Sequence, residues 1–191
     1  MPGPTLLAVI DMQNVFADDG SPWRTPKFPE AVAPVRELAR AFGTATVFTR
    51  FVAPTEPVGS WRPYYEQWPF ALQPPDAELW DVVAELSDLA VWTVSAPTFS
   101  KWTELAVHLA PGGRLVLCGV STDCCVLSTA LEAADAGAEV VVVGEACAGL
   151  DDDTHAKALE LMALYAPLVR VVSLAEGLAL ADVTNRSLRS P

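Results

Sequence analysis

The feature of this chain that most limits its fold is a set of short aliphatic runs that do not alternate with polar residues. Thr5-Leu-Leu-Ala-Val-Ile10 ends in Asp11, Arg114 to Val120 ends in Ser121, and Glu139 to Val143 carries four successive valines. A strand that is apolar at every position is buried on both faces, as in a parallel sheet covered by helices. The runs are far shorter than the ~20 residues that span a bilayer. Thr44 to Arg50, Leu89 to Val94 and Leu168 to Ser173 read as further strands. Between them lie segments of helical spacing. These are Glu30 to Phe42 with Gly43 as C-cap, Asp76 to Leu86 with Asp76 as N-cap, Lys101 to Leu109 stopping at Pro111-Gly112-Gly113, Asp123 to Ala136 closed by Gly137, Asp151 to Tyr165, and a short helix near Ala175 to Leu180. Strands alternating with helices predict an α/β fold, a three-layer α/β/α sandwich around a mainly parallel six-stranded sheet. Residues 1–182 are expected to form one domain, with 183–191 as a C-terminal tail, frayed or packed on a partner subunit.

Composition narrows the function classes. The 191 residues carry 12 Lys plus Arg against 24 Asp plus Glu, a net charge of −12. That charge repels a phosphate backbone, so no nucleic-acid partner is expected. The opening Met-Pro-Gly-Pro has neither a basic region nor an apolar signal core, so a cytoplasmic location and no membrane partner are expected. The turn after the first strand, Asp11-Met-Gln-Asn14, lacks Gly-x-Gly, which sets aside a dinucleotide fingerprint. The four cysteines, Cys118, Cys124, Cys125 and Cys147, include no CxxC pair, and the only histidines are His108 and His155, so zinc is a poor reading.

In open α/β sheets ligands sit at the carboxyl ends of the strands. That rule selects Asp11, Arg50, the stretch Ser95 to Lys101, the stretch Ser121 to Cys125, and Glu145. The strongest local signal is Gly119-Val-Ser-Thr-Asp-Cys-Cys-Val126, where a strand ends and a helix opens with two cysteines in its first turn. Free N–H groups and a partial positive charge at a helix start ease ionisation of a thiol and can hold an oxyanion. Both cysteines reading as small buried hydrophobes is the competing interpretation.

Val9-Ile10-Asp11-Met12-Gln13, taken with Gly119 to Val126, Thr129-Ala130 and Ala133-Ala134, resembles the isochorismatase-like cysteine hydrolase superfamily, which includes nicotinamidases, N-carbamoylsarcosine amidases and isochorismatases. The resemblance implies an isochorismatase-like, Rossmann-like fold. It places the nucleophile on Cys125, a general base on Asp11, and an oxyanion hole on the N–H groups of Ser121 and Cys125, with a cis Val120–Ser121 peptide. The superfamily's catalytic Lys precedes a Ser-Ala-Phe type segment at the end of strand three, and here Val91 to Ala96 holds no lysine. Lys101 is the nearby candidate, Arg50 the substitute, and an incomplete triad the remaining outcome. The Asp and His ligands that nicotinamidase-like members carry after strand two are absent from Thr49 to Pro54, so no metal and no cofactor are expected.

Phe51 to Pro75 is the one long irregular stretch, with six prolines among aromatics. Phe16, Trp61, Tyr64, Tyr65 and Trp68, with Trp102 nearby, are the candidate walls of a substrate pocket. The resemblance also implies a homo-oligomer and a small-molecule substrate. The expected function is a metal-independent cysteine hydrolase that cleaves a C–N bond of a small amide, carbamoyl compound or lactam through a thioester. The alternative is a catalytically impaired domain that binds a small ligand or serves in assembly, motivated by the lysine missing from strand three.

Overall fold

The computed structural model describes residues 4–110 and 112–189. Pro111, part of the expected helix stop, and residues 190–191 of the expected tail lie outside them. The order of elements is β1 (Thr5–Ile10), α1 (Asn14–Ala17), α2 (Phe28–Phe42), β2 (Thr46–Phe51), α3 (Trp61–Gln67), β3 (Thr93–Ala96), α4 (Trp102–Ala106), β4 (Arg114–Val120), α5 (Leu127–Asp135), β5 (Glu139–Ala148), α6 (Asp152–Ala163), β6 (Val169–Val172) and α7 (Leu174–Arg189). The six strands form one sheet in the order β3-β2-β1-β4-β5-β6, with every described pairing parallel.

The aliphatic runs are buried as their patterning requires. Successive β1 side chains point to opposite faces, so Leu7 and Val9 join the core layer containing Val35, Leu38 and Phe42 of α2. Leu6, Ala8 and Ile10 join the other layer, with Ala130 and Ala133 of α5 and Met162 of α6. β1 and β4 run in register from Thr5↔Arg114 to Ile10↔Gly119. The two chains come so close at the end of this ladder that a Cβ on Gly119 would lie 2.1 Å from the Ile10 carbonyl oxygen. Strand order reverses direction between β1 and β4, so their carboxyl ends open the crevice where such sheets bind ligands.

Several expected elements differ. Asp76 to Leu86 is not an α-helix: only Glu78–Trp80 forms a 3₁₀ turn. Tertiary partners take its backbone groups. Asn14 N–H donates to the Asp81 carbonyl at 2.9 Å, Val83 N–H to the Met12 carbonyl at 3.0 Å, and the Gln13 amide to the Trp80 carbonyl at 2.7 Å. The stretch 51–75 is not wholly irregular, since it contains α3 and a 3₁₀ turn at Pro69–Ala71. The third strand starts at Thr93 rather than Leu89, because Leu89 closes a turn, its N–H donating to the Leu86 carbonyl at 3.0 Å. β5 runs on to Ala148 through a register shift opposite Leu117 and Gly119, so Glu145 lies within the strand instead of after it. α7 continues past Asp182, where the tail was expected to begin, to Arg189. No helix among the described residues is long and apolar enough to cross a membrane.

Candidate active site

Asp11 is the first residue past β1 and is fully buried. Its backbone is in the left-handed region at φ 48°, a conformation that costs a non-glycine residue energy and that Asp tolerates better than most. Thr49 of β2 holds it from two sides: its hydroxyl accepts from the Asp11 N–H at 3.2 Å and donates to Asp11 Oδ1 at 2.6 Å. Oδ2 is left for Lys101, whose Nζ lies 3.0 Å away with both side chains sealed from solvent. This contact is an ion pair without an aligned hydrogen bond, since Oδ2 has no aligned donor.

Lys101 stands at the N-cap of α4, a place where a solvated cation is slightly disfavoured. It is instead 1 % exposed. Its ammonium donates to the Thr98 carbonyl at 2.5 Å and sits 4.8 Å from the centre of the Phe51 ring. The preceding turn is shaped by Thr98 Oγ1 donating to the Ser100 carbonyl at 2.8 Å and by Trp102 N–H donating to Ser100 Oγ at 3.1 Å. Lys101, not Arg50, therefore supplies the cation beside Asp11. Arg50 Nε is turned to Ser95 Oγ at 3.2 Å on an exposed flank. Lys27 pairs with Asp152 and Lys157 with Asp153.

A one-residue bridge couples Lys101 to the cysteine turn. Its N–H donates to Thr129 Oγ1 at 3.0 Å, and that hydroxyl donates to the Cys125 carbonyl at 2.7 Å. The turn itself, Thr122–Val126, is a wide π-type coil, and α5 proper begins at Leu127. The Val120–Ser121 peptide is cis. The Cys124 and Val126 N–H groups both donate to the Ser121 carbonyl at 3.1 Å, which leaves the Ser121 and Cys125 N–H groups out of those bonds. Two polar contacts brace the turn from behind: Thr122 Oγ1 lies 2.8 Å from His155 Nδ1, and Asp123 Oδ1 accepts from Leu150 N–H at 3.0 Å.

Cys125 is 3 % exposed. Hydrogen bonding with the Cys124 side chain and burial hold its thiol well above the ordinary value, while the Lys101 ammonium pulls the other way. The same hydrogen bond shifts the Cys124 thiol the other way, below its ordinary value. At Cys125 the shared hydrogen bond comes first and desolvation of the charged form adds to it.

A cavity of about 500 Å³ opens beside these groups. Of the residues expected to wall it, Phe16, Tyr64 and Trp68 do so, together with Ser121 and Cys125. Trp61, Tyr65 and Trp102 do not line it. Trp61 and Tyr65 form a second layer, stacked on each other at 6.0 Å, and Trp102 packs on the opposite core layer. Sequence reasoning missed Trp23, Phe51 and Phe99, which complete the wall. Trp23 is its hub, within 6.4 Å of the rings of Phe16, Phe51, Tyr64, Trp68 and Phe70. A tryptophan set in the turn-forming run Asp18 to Lys27 was the available signal.

The sequence profile of the isochorismatase domain matches residues 5–176. A curated relative, isochorismatase domain-containing protein 2 of Rattus norvegicus, is 28 % identical over 167 residues, 84 % of this chain and 66 % of that protein. The chain thus spans slightly under two thirds of that relative. Among solved structures, a cysteine hydrolase from Pseudomonas syringae pv. phaseolicola superposes with a TM-score of 0.82 at 19 % identity, over 96 % of this chain and 95 % of the other. A nicotinamidase from Bacillus subtilis gives 0.69 at 22 % identity, over 89 % and 99 %. An N-carbamoylsarcosine amidase from Thermoplasma acidophilum gives 0.68 at 19 % identity, over 90 % and 96 %. At these identities the structural likenesses establish the shared fold.

Proposed function

The chain belongs to the isochorismatase domain family of hydrolases, and within it we propose a cysteine hydrolase that cleaves a C–N bond of a small amide, carbamoyl compound or lactam through a thioester. The observation that carries this reading is the sealed Lys101–Asp11 pair, tied through Thr129 to the cysteine at the cavity wall. Burying an ammonium and a carboxylate together costs several kcal/mol per ion before their attraction is counted, and such pairs cluster where charge is needed for chemistry.

In this reading Cys125 rests as a neutral thiol. With substrate bound, Asp11 Oδ2 takes the thiol proton and the sulfur attacks the amide carbonyl. The N–H groups of Ser121 and Cys125 receive the oxyanion. Collapse of the tetrahedral adduct breaks the C–N bond, and the amine leaves with the proton that Asp11 held. Water, giving its proton to Asp11, then hydrolyses the thioester to the acid and restores the thiol. Lys101 holds the Asp11 carboxyl group in place through these steps, its Nζ 3.0 Å from Oδ2. No resident metal enters the scheme, because Thr49 to Pro54 offers no Asp or His. A homo-oligomer in the cytoplasm is part of the same proposal. The second reading, an impaired domain, was motivated by the lysine absent from strand three, and the Lys101 ammonium 3.0 Å from Asp11 Oδ2 counts in favour of the first.

The test is a panel of primary amides, ureido acids and lactams read out as ammonia or amine release. Cys125→Ala is expected to lower turnover by at least about a thousandfold. Hydrolysis by Cys125→Ala at the parent rate would falsify the proposal.

A further inference from the structure

The cavity wall holds one feature that cleavage of a bare amide does not need. Six rings line it, from Phe16, Trp23, Phe51, Tyr64, Trp68 and Phe99, and among the described lining residues one side chain is cationic, Arg24. In a chain of net charge −12 with 12 basic residues, that placement is notable. The loop carrying Arg24 is built firmly. Arg24 N–H donates to the Ser21 carbonyl at 3.1 Å and Thr25 N–H to the Phe16 carbonyl at 2.9 Å. Trp23 N–H donates to Ser21 Oγ at 3.2 Å, and the hydroxyls of Thr25 and Ser121 meet at 3.1 Å. Arg24 thus sits next to Thr25, whose hydroxyl meets that of Ser121, a residue of the proposed oxyanion hole.

Its guanidinium is only lightly engaged. Nε pairs with Asp19 Oδ1 at 2.8 Å, and that carboxylate is 89 % exposed, so water competes strongly for it. The recorded contact of this pair runs through Nε. A guanidinium whose partner is a solvent-washed carboxylate can exchange it, and its planar fork is suited to bidentate recognition of a substrate carboxylate. The lining carboxylate, Asp123, is turned to Leu150 N–H.

We infer that Arg24 is a specificity-determining residue, and that the substrate is an amide with a flat apolar body bearing a carboxylate that Arg24 receives. The inference rests on the amidase reading for the cleaved bond, and its test separates the two. The probes are 3-carboxybenzamide, 4-carboxybenzamide and 4-(carboxymethyl)benzamide, each against the neutral compound in which a methyl group replaces the carboxylate. Binding to Cys125→Ser is followed by quenching of tryptophan fluorescence, since Trp23 and Trp68 line the cavity. At least one acid is expected to bind tenfold or more tightly than its methyl counterpart. Arg24→Gln should erase that difference, and Arg24→Lys should restore part of it. No preference for any acid, no binding of any acid, or a preference that survives in Arg24→Gln overturns the inference. Ammonia release by the unmodified protein is scored separately. Preferential binding without cleavage leaves the Arg24 subsite standing and removes the amidase reading, and cleavage of the neutral amides without acid preference does the reverse.

Discussion

Lys101 shows how one side chain can be costly to bury and still be held in place. The ammonium gives up its water, and in return it gains the Asp11 carboxylate, the Thr98 carbonyl and the face of Phe51. Removing one partner of a buried pair strands the other, at about 3–5 kcal/mol. Lys101→Met is therefore expected to lower stability by about that amount in urea titration, and to raise the Cys125 thiol further by deleting the cation that opposes its burial. The second effect is read by mass spectrometry of the alkylated peptide. The rate of iodoacetamide labelling at Cys125 should still be climbing above pH 9 in the parent and be slower at every pH in Lys101→Met. A plateau near pH 7 in the parent would contradict a thiol held neutral by its hydrogen bond with Cys124 and by burial.

At the scale of elements, Gln13 governs how the segment before β3 is arranged. The side chain is fully buried. Its amide donates to the Phe51 carbonyl at 3.0 Å and the Trp80 carbonyl at 2.7 Å, and its oxygen accepts from Phe51 N–H at 2.7 Å. It joins the end of β2 to the turn that local propensity would have made a helix. Gln13→Leu keeps the bulk and leaves buried backbone groups without these partners, a loss of about 3 kcal/mol and a fall in Tm of about 6–12 °C. Asn14→Ala next to it removes an exposed bond to the Glu78 carbonyl and is expected to cost less than about 1 kcal/mol. Equal shifts for the two in calorimetry would show that Gln13 has no special place in this contact.

For the whole molecule, the sheet is sandwiched so completely that its thiols lose access to water. Burial pushes Cys118 well above the ordinary thiol value of 9.0 and Cys147 up to about 12. In the unfolded chain these groups ionise near 9, while in the folded protein they keep their protons. The native state then binds more protons than the unfolded one, and stability falls as pH rises from 9. The loss is about 1.4 kcal/mol per pH unit for each such thiol until the raised value is reached. Denaturation midpoints measured from pH 8 to 11 should decline, and the decline should be shallower in Cys147→Ala. A slope that is identical in the variant would mean that this thiol is not shielded.

The amino-acid sequence alone determined the α/β class, the boundaries of β1 and β4, and the strand ends that carry Asp11 and the cysteine turn. Those features depend on local patterning: continuous aliphatic runs, helix stops, and a polar residue where each run ends. Tertiary structure alone decided that Lys101 turns inward, that Asp76 to Leu86 gives up its helix, and that Trp23, Phe51 and Phe99 wall the cavity while Trp61, Tyr65 and Trp102 do not. Each of these depends on a partner distant along the chain, such as Asp11 for Lys101 or Gln13 for Trp80. Periodicity and propensity register only neighbours within a few residues, so they carry no trace of such contacts.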